Sequence, residues 1–170
     1  SIYMKQIYVL RHAKSSWNNI NLSDFDRPLS KRGISDAIKL GKYISHNNIR
    51  VSLVICSNAE RTKNTFDLIA NDLNFPTENA TYTDDLYFGE PNKIIEFIKN
   101  LDDKYQSILI IGHNPTLHAL IEKLTNELIE KFATCNLANI SSKNSWKNTS
   151  LGACELKSLI KPKEIKIEKY

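Results

Sequence analysis

The chain has 170 residues, 41% hydrophobic and 25% charged, with a formal net charge of +4 at pH 7. This size and composition exclude a disordered or fibrous protein and predict one folded domain. The positive charges form no arginine-rich block, so nucleic acid is not an expected partner. No apolar run approaches the roughly 20 residues of a membrane span, so a membrane is not an expected partner either.

The 3 cysteines lie far apart in the sequence: Cys56, Cys135 and Cys154. An odd number of scattered cysteines is typical of reduced thiols and not of a disulfide framework or a zinc site. Because no signal peptide is visible either, we expect a cytoplasmic protein. Met4 is the only methionine, so we interpret Ser1 to Tyr3 as a remnant of cloning and expect a single domain over residues 4–170.

The first half of the chain predicts two strands, each followed by a helix. Gln6 to Leu10 is rich in residues that favour strands, and a polar stretch separates it from a helix that Ser30 would cap. Helical spacing predicts the residues that this helix buries: Ile34, Ala37, Ile38, Gly41 and Ile44. The apolar run from Val51 to Cys56 is typical of a strand covered on both faces, and a helix over residues 59–73 follows it.

The second half predicts a short strand at Ala80 to Thr83, with a third helix after it. Ser107 to Gly112 is the clearest central strand, and the next helix is predicted to run to about Lys131. Strand-like segments at 136–140 and 153–159 predict a terminal hairpin. The predicted fold is therefore α/β, with three α/β/α layers, a mostly parallel central sheet and a C-terminal antiparallel hairpin.

Ligands bind beyond the carboxyl ends of the strands in open parallel sheets. The polar side chains expected at that edge are Arg11, His12, Ser57, Arg61, Asp84, Asp85 and His113. Two arginines and two histidines repel one another unless an anion lies between them, and the arginine fork matches phosphate oxygens. Helix N-termini after Ser57 and His113 would add N–H donors. The sequence thus predicts a phosphoryl group as the ligand.

Histidine in such a cluster can attack phosphorus, because its neutral ring is a good nucleophile. Each residue alone has a plainer explanation, such as a surface loop or a helix cap, and it is their joint placement that favours catalysis. A zinc site built on His12, His113 and His118 is an alternative, but the ligand spacing of known zinc motifs is absent. We therefore expect no metal.

Four motifs occur in order along the chain: LRHAKSSW from Leu10, DFDRPLSKRG from Asp24, SNAERTKNT from Ser57 and IGHNP from Ile111. Together they resemble the histidine phosphatase superfamily and, within it, the SixA-like phosphohistidine phosphatases. The resemblance implies a phosphoglycerate mutase-like fold and an enzyme without metal or organic cofactor. It implies that His12 is the nucleophile that becomes phosphorylated. It also implies which residues bind the phosphoryl oxygens: Arg11, Arg61 and His113.

Further substrate contacts are predicted at Lys14, Ser15, Ser57 and Asn114, although Lys14 and Ser15 also fit a solvated loop. The general acid is the least well marked residue. Asp85, in DDLYFGEP, stands about where larger members of the superfamily carry an acid; Asp84 competes with it, and both also fit solvated turn carboxylates. For Arg27 we favour a structural role over a catalytic one.

The predicted function is a phosphatase with a phosphohistidine intermediate, acting on phosphohistidine in a protein. Little chain remains for a capping domain, so the pocket should be shallow and open. The alternatives are a phosphatase or mutase for small phosphorylated metabolites and a non-catalytic phosphate-binding module. A mutase needs an enclosed site, and a binding module has no need of the nucleophile His12.

Overall fold

The computed structural model describes residues 4–166, so the segment interpreted as a cloning remnant, Ser1 to Tyr3, lies outside the described residues. The strands are β1 (Lys5–Arg11), β2 (Leu53–Ser57), β3 (Thr81–Thr83), β4 (Ser107–Gly112), β5 (Leu137–Ser142) and β6 (Glu155–Ile160). The longer helices are α1 (Lys31–His46), α2 (Glu60–Ile69), α3 (Pro91–Lys99) and α4 (Thr116–Thr125).

The strands form a 6-stranded sheet in the order β3-β2-β4-β1-β5-β6. The first four strands in this order run parallel, whereas β5 pairs antiparallel with both β1 and β6. The predicted mostly parallel sheet and terminal hairpin are confirmed. The parallel strands all end at one edge, where the connections to α2 and α4 begin.

Each face of the sheet carries its own apolar core, because successive side chains of a strand point to opposite faces. In β1, Ile7 and Val9 pack under α3 and α4, whereas Leu10 packs under α1 and α2. Fully burying one such side chain stabilises the fold by about 1.5–3 kcal/mol. These two cores confirm the three layers and fix the register of β1, which determines where its last residues emerge.

The buried face of α1 differs from the prediction. Ser30 caps the helix as expected, with its hydroxyl accepting the Gly33 N–H at 3.1 Å, but Ile34 and Ile38 are 42% and 44% exposed. Gly33 lies against the backbone, since a Cβ there would come within 2.0 Å of the Lys14 carbonyl oxygen. Apolar spacing could not reveal this close approach, which turns the helix so that its glycines face inward.

Helix α4 is also shorter than predicted, because it ends at Thr125 and not near Lys131. Asn126 adopts a left-handed conformation with φ 57° and closes the last turn by donating its N–H to the Glu122 carbonyl. The chain then runs irregularly to β5, burying Phe132 and Cys135 on the way. Within residues 4–166, no helix has the length and apolarity needed to cross a membrane.

Candidate active site

A cleft lies at the carboxyl edge of the parallel strands, with an empty volume of about 670 Å³ that is partly open to solvent. Its walls are formed by Arg11, His12, Lys14, Ser15, Trp17, Asp24, Arg27, Arg61, Phe88, His113, Asn114 and Thr134. The structure therefore brings together seven of the predicted site residues: Arg11, His12, Lys14, Ser15, Arg61, His113 and Asn114. Ser57 contacts one of them, and Asp85 lies elsewhere.

His12 follows β1 directly and is 7% exposed. Its Nδ1 lies 2.7 Å from the Ala13 carbonyl oxygen, which can only accept, so Nδ1 carries the ring proton and Nε2 the lone pair. Burial lowers the pKa of His12 to about 4; the Ala13 hydrogen bond opposes this shift, and nearby guanidinium groups add to it. The ring is thus a neutral imidazole at neutral pH, with a nucleophilic nitrogen in the cleft.

Thr65, in α2, helps to set this geometry. Its hydroxyl accepts the Ala13 N–H at 2.9 Å and donates to the Arg61 carbonyl at 2.7 Å. Ala13 is thereby fixed against the helix that carries Arg61, and the His12 ring with it. Sequence reasoning did not single out Thr65, although it closes the SNAERTKNT motif.

Arg61 lies in the first turn of α2 and is 4% exposed. Its Nε donates to His12 Nε2 at 3.3 Å, and its two terminal nitrogens donate to the carbonyl and the carboxylate of Asp24, at 2.6 and 3.0 Å. Three donors of one rigid guanidinium are therefore aimed at the nucleophile and its surroundings. An anion in front of His12 would find this positive charge already in place.

His113 follows β4, and its ring centroid lies 5.2 Å from that of His12. Its Nε2 lies 2.8 Å from Ser57 Oγ, so the contribution of Ser57 is to hold this ring. Burial is the main cause that lowers the pKa of His113 to about 3, followed by the charges of His12 and Arg61. This ring is also neutral at neutral pH.

Two buried polar atoms in the cleft have no hydrogen-bond partner among the described residues: Arg11 Nε and His113 Nδ1. The Arg11 guanidinium makes one weak contact, 3.3 Å from Nη1 to the Phe132 carbonyl. Ser57 Oγ accepts the Ala59 N–H at 3.2 Å, and when its hydroxyl donates to His113 Nε2, the ring proton of His113 lies on Nδ1. Each buried donor without an acceptor then costs about 1–3 kcal/mol. Both atoms belong to residues predicted to hold a phosphoryl group, and oxygens of such a group would satisfy them.

Asp24 is a site residue that sequence reasoning missed. It accepts hydrogen bonds from Arg27, Arg61 and the Tyr87 hydroxyl. Burial by itself raises the pKa of Asp24, but the bonds from Tyr87 and the two arginines outweigh burial and lower the pKa to about 2. Asp24 is therefore a permanent carboxylate that orients guanidinium groups, and it holds no proton to donate at neutral pH.

Arg27 is buried and lines the cleft. Its guanidinium donates to the Ser16 carbonyl at 3.1 Å, to Asp24 at 2.9 Å and to the Ser15 hydroxyl at 2.6 Å. These bonds fix the loop after His12, which agrees with the structural role expected for Arg27. They also engage the Ser15 side chain.

Asp85 does not line this cleft. The chain turns into a short 3-10 helix at Asp84–Leu86, which buries Leu86 and leaves Asp85 exposed. Asp85 lines a separate cavity between β3 and α3, while Asp84 accepts a bond from the Asn58 side chain at 2.9 Å. The position of Asp85 gives no support to its assignment as the general acid.

Two further candidates have clear places. His118 lies outside the cleft, and its Nε2 is 3.0 Å from the Ile129 carbonyl oxygen. Asn114 lines the cleft and donates to the Phe132 carbonyl at 2.7 Å. Within residues 4–166, no group of three or more histidine, cysteine or carboxylate side chains is arranged to hold a metal ion.

A neutral histidine that faces two guanidinium groups and a second histidine, at the end of parallel strands, is an arrangement that could accept and transfer a phosphoryl group. The sequence profile of the histidine phosphatase superfamily (branch 1) matches residues 7–92. A protein of Mycobacterium tuberculosis, named only as uncharacterized, is 32% identical over 157 residues, covering 86% of this chain and 96% of its own. The chain belongs to the histidine phosphatase superfamily, and this membership supports phosphatase activity.

Solved structures confirm the fold. The protein histidine phosphatase SixA complexed with tungstate matches with a TM-score of 0.83 and 21% identity, covering 95% of this chain and 99% of its own. The alpha-ribazole phosphatase from Shigella flexneri matches with a TM-score of 0.69 and 20% identity, covering 96% and 100%. The fold is thus that of SixA, and phosphoglycerate mutase-like as the motifs implied.

Proposed function

We propose that this protein is a phosphatase that removes the phosphoryl group from phosphohistidine on another protein, through a phosphohistidine intermediate on His12. The observation that carries this proposal is the hydrogen bond from His12 Nδ1 to the Ala13 carbonyl, at 2.7 Å. It fixes the tautomer, so that the unprotonated Nε2 is the atom that meets an incoming phosphoryl group.

The first step forms a bond from His12 Nε2 to phosphorus and breaks the bond from phosphorus to the substrate nitrogen. The substrate reacts with its ring protonated by solvent on the nitrogen that is not bound to phosphorus, so the leaving ring takes the electron pair of the broken bond and departs as neutral imidazole. Arg61 Nε lies 3.3 Å from His12 Nε2, and once a substrate is bound its N–H would donate to a phosphoryl oxygen instead. Arg11 Nε and His113 Nδ1 supply two more donors for the developing charge.

The second step is hydrolysis of the intermediate. Water attacks phosphorus, the bond to His12 Nε2 breaks, and its electron pair returns to the ring. The protons of the water stay with the departing phosphate, so no other base is needed. The Ala13 carbonyl holds the Nδ1 proton through both steps, which returns His12 to its starting tautomer.

The choice of phosphohistidine over phosphoesters rests on the weakness of the acid. A serine or sugar alkoxide is a poor leaving group and needs a well-placed proton donor. Asp24, the carboxyl group in the cleft, has its pKa lowered to about 2, and Asp85 lies in another cavity. A histidine ring has a pKa of about 6.5, so the ring of phosphohistidine can take a proton from solvent near neutral pH and then leave as neutral imidazole without a protein acid. The open cleft also suits a side chain presented by a protein.

A substrate panel tests this proposal. One preparation of the enzyme is assayed with a phosphohistidine protein, a phosphoserine peptide and sugar phosphates. We expect the highest kcat/KM with the phosphohistidine protein, loss of that activity in His12→Ala, and normal activity in His46→Ala, whose exposed ring ends α1 far from the cleft. Preference for a sugar phosphate would favour the small-metabolite alternative, and no turnover of any substrate would favour the binding module.

We further propose that catalysis needs neither metal nor organic cofactor, because guanidinium groups and buried donors supply the positive charge. Activity retained after dialysis against a chelator supports this, and activity lost and then restored by zinc or magnesium contradicts it. A single domain over residues 4–170 and a cytoplasmic location stay predictions. Limited proteolysis and localisation of a tagged chain would test them.

A further inference from the structure

Phe88 is an exposed aromatic residue in an unusual backbone conformation at the mouth of the cleft. Its φ is +56°, a left-handed value that costs a bulky residue of the order of 1–3 kcal/mol. Its side chain is 56% exposed, so no core packing repays this cost. Strained residues of this kind collect at functional sites.

The neighbours of Phe88 hold it in place. The Tyr87 hydroxyl donates to the Asp24 carboxylate, and the Gly89 carbonyl accepts from the Thr116 hydroxyl at 2.6 Å. Gly89 itself admits no side chain, since a Cβ there would come within 1.9 Å of the Asp85 carbonyl oxygen. The segment is tied down on both sides of Phe88, and only the ring is left free to meet a ligand.

The ring lies on His113. Their centroids are 5.7 Å apart, with an interplanar angle of 29°. On the same cleft, Trp17 is 70% exposed and covers the Arg27 guanidinium, whose central carbon lies 3.1 Å from the indole centroid. Each aromatic ring therefore rests on a residue of the phosphoryl pocket and leaves other surface open to solvent.

The direction of the reaction brings the leaving group to these rings. Phosphoryl transfer runs in line, so the leaving atom lies opposite His12 Nε2, on the open side of the phosphoryl group. Among the residues that line the cleft, the exposed ones are Lys14, Trp17 and Phe88. These three side chains are therefore the exposed ones that a leaving group can meet on its way out to solvent.

We propose that Trp17 and Phe88 form a subsite for a planar aromatic leaving group, which Phe88 stacks against as the bond to phosphorus breaks. The assignment of that ring to imidazole rests on the proposed function. Stacked aromatic pairs contribute about 0.5–1.5 kcal/mol beyond their buried area. The subsite thus favours phosphohistidine over a phosphoserine or a sugar phosphate, which bring no such ring.

Two substrates with the same scissile bond test the subsite: N-phosphoimidazole, which has a ring, and phosphoramidate, which has none. The measured quantity is the ratio of their kcat/KM values, in which any general damage to the His113 pocket cancels. We expect Phe88→Leu to lower this ratio about threefold to tenfold, as the stacking energy requires. Phe88→Tyr, which keeps a ring, should stay within about twofold of the wild type.

Phe97→Leu is the matched control, since Phe97 is 42% exposed on α3 and lines the other cavity; its ratio should equal that of the wild type. Phe88→Asn separates the subsite from stability, because asparagine tolerates the left-handed conformation: the ratio should fall while the melting temperature does not. An unchanged ratio in Phe88→Leu and Phe88→Asn would overturn the subsite.

The proposed function can fail separately. If the wild type hydrolyses neither P–N compound but hydrolyses p-nitrophenyl phosphate, the phosphohistidine activity is wrong. The same variants are then compared with p-nitrophenyl phosphate and acetyl phosphate as the pair with and without a ring. A ratio that falls in Phe88→Leu supports the subsite, and one that does not change contradicts it.

Discussion

The two ends of the sheet both bury polar nitrogen atoms, and they do so in opposite ways. At the amino end of the parallel strands, Lys5 is 5% exposed, and its ammonium donates to the carbonyls of Asp103 and Tyr105 at 2.5 and 2.9 Å. The same ammonium lies 5.1 Å from the Trp146 ring centroid. At the carboxyl end, Arg11 Nε and His113 Nδ1 have no partner among residues 4–166.

This difference separates structure from function. The protein itself supplies the acceptors around Lys5, so this ammonium group needs no ligand. Its contacts connect the turn before β4 to the turn after β5. The cleft contains hydrogen-bond donors that have no acceptor among residues 4–166, and it holds two histidines whose pKa values are lowered to about 4 and about 3. Burial of polar groups without partners is unfavourable, and an oxyanion would relieve it.

Arg61→Lys should impair the cleft and leave the Lys5 end of the sheet intact. Lysine keeps the positive charge, but it lacks the rigid planar guanidinium that donates hydrogen bonds to His12 and Asp24 at the same time. We expect kcat/KM with any phosphoryl substrate to fall about 10²-fold to 10³-fold, the typical loss for one transition-state donor. Arg32→Lys, on the exposed surface of α1, is the control. A loss under tenfold would show that Arg61 is not needed as a fork.

Lys5→Met should have the opposite effect: it should lower the stability of the fold and leave the activity of the cleft unchanged. It removes the donor of the Asp103 carbonyl, whereas the Tyr105 carbonyl keeps the Trp146 Nε1–H at 2.8 Å, so the free energy of unfolding should fall by about 1 kcal/mol. The kcat/KM of the folded enzyme at 25 °C should not change, because Lys5 lies at the opposite end of the sheet. Chemical denaturation and a standard assay measure both quantities, and an equal loss of activity would contradict the separation of the two ends.

The stability of the protein should depend on pH through the cleft. His12 and His113 have folded pKa values of about 4 and about 3, below the value of about 6.5 for an unfolded chain. Above pH 6.5 both rings are neutral in the folded and the unfolded chain. Below this pH the unfolded chain binds protons more readily, so the free energy of unfolding falls, by about 1 kcal/mol for each ring between pH 7 and 5.5.

Denaturation at the two pH values in the wild type and in His113→Asn measures this loss, and the variant should lose less. Phosphate in the buffer should reduce the loss in the wild type, because an anion stabilises charged rings. The same pH dependence in both proteins would show that His113 does not cause the part of the stability loss assigned to it.

Asp85→Asn should have the smallest effect. Its side chain lies in the cavity between β3 and α3, so kcat/KM with phosphohistidine should fall by less than tenfold, or about 1.4 kcal/mol of barrier. Phosphoester turnover should change as little. A hundredfold loss with phosphoesters alone would restore Asp85 as their general acid.

The sequence was sufficient for the parts of the site that follow directly from strand ends. Arg11, His12 and His113 come after apolar runs that predict strands, and the parallel topology brings their side chains to one edge. The contact between Asp24 and Arg61 joins residues 37 apart through a loop without periodicity, and no local pattern predicts it. The DFDR motif could be recognised in the sequence, but the contact of Asp24 with Arg61 could not.

The general acid shows the other limit of sequence reasoning. Asp85 and Phe88 are three residues apart, and a 3-10 turn at Asp84–Leu86 decides which of them reaches the cleft. That turn depends on the burial of Leu86 and on Gly89 packing over the Asp85 carbonyl. Both are tertiary contacts, which neither composition nor spacing expresses.

Trapping the phosphorylated enzyme tests the central claim most directly. The wild type, His12→Ala and His46→Ala are mixed with a ³²P-labelled phosphohistidine protein, quenched within one turnover in alkali, and mapped by mass spectrometry. We predict label that is stable in alkali and labile in acid on the peptide containing His12, in the wild type and His46→Ala and not in His12→Ala. Turnover by the wild type without such label, or label retained in His12→Ala, would contradict the assignment of His12 as the nucleophile.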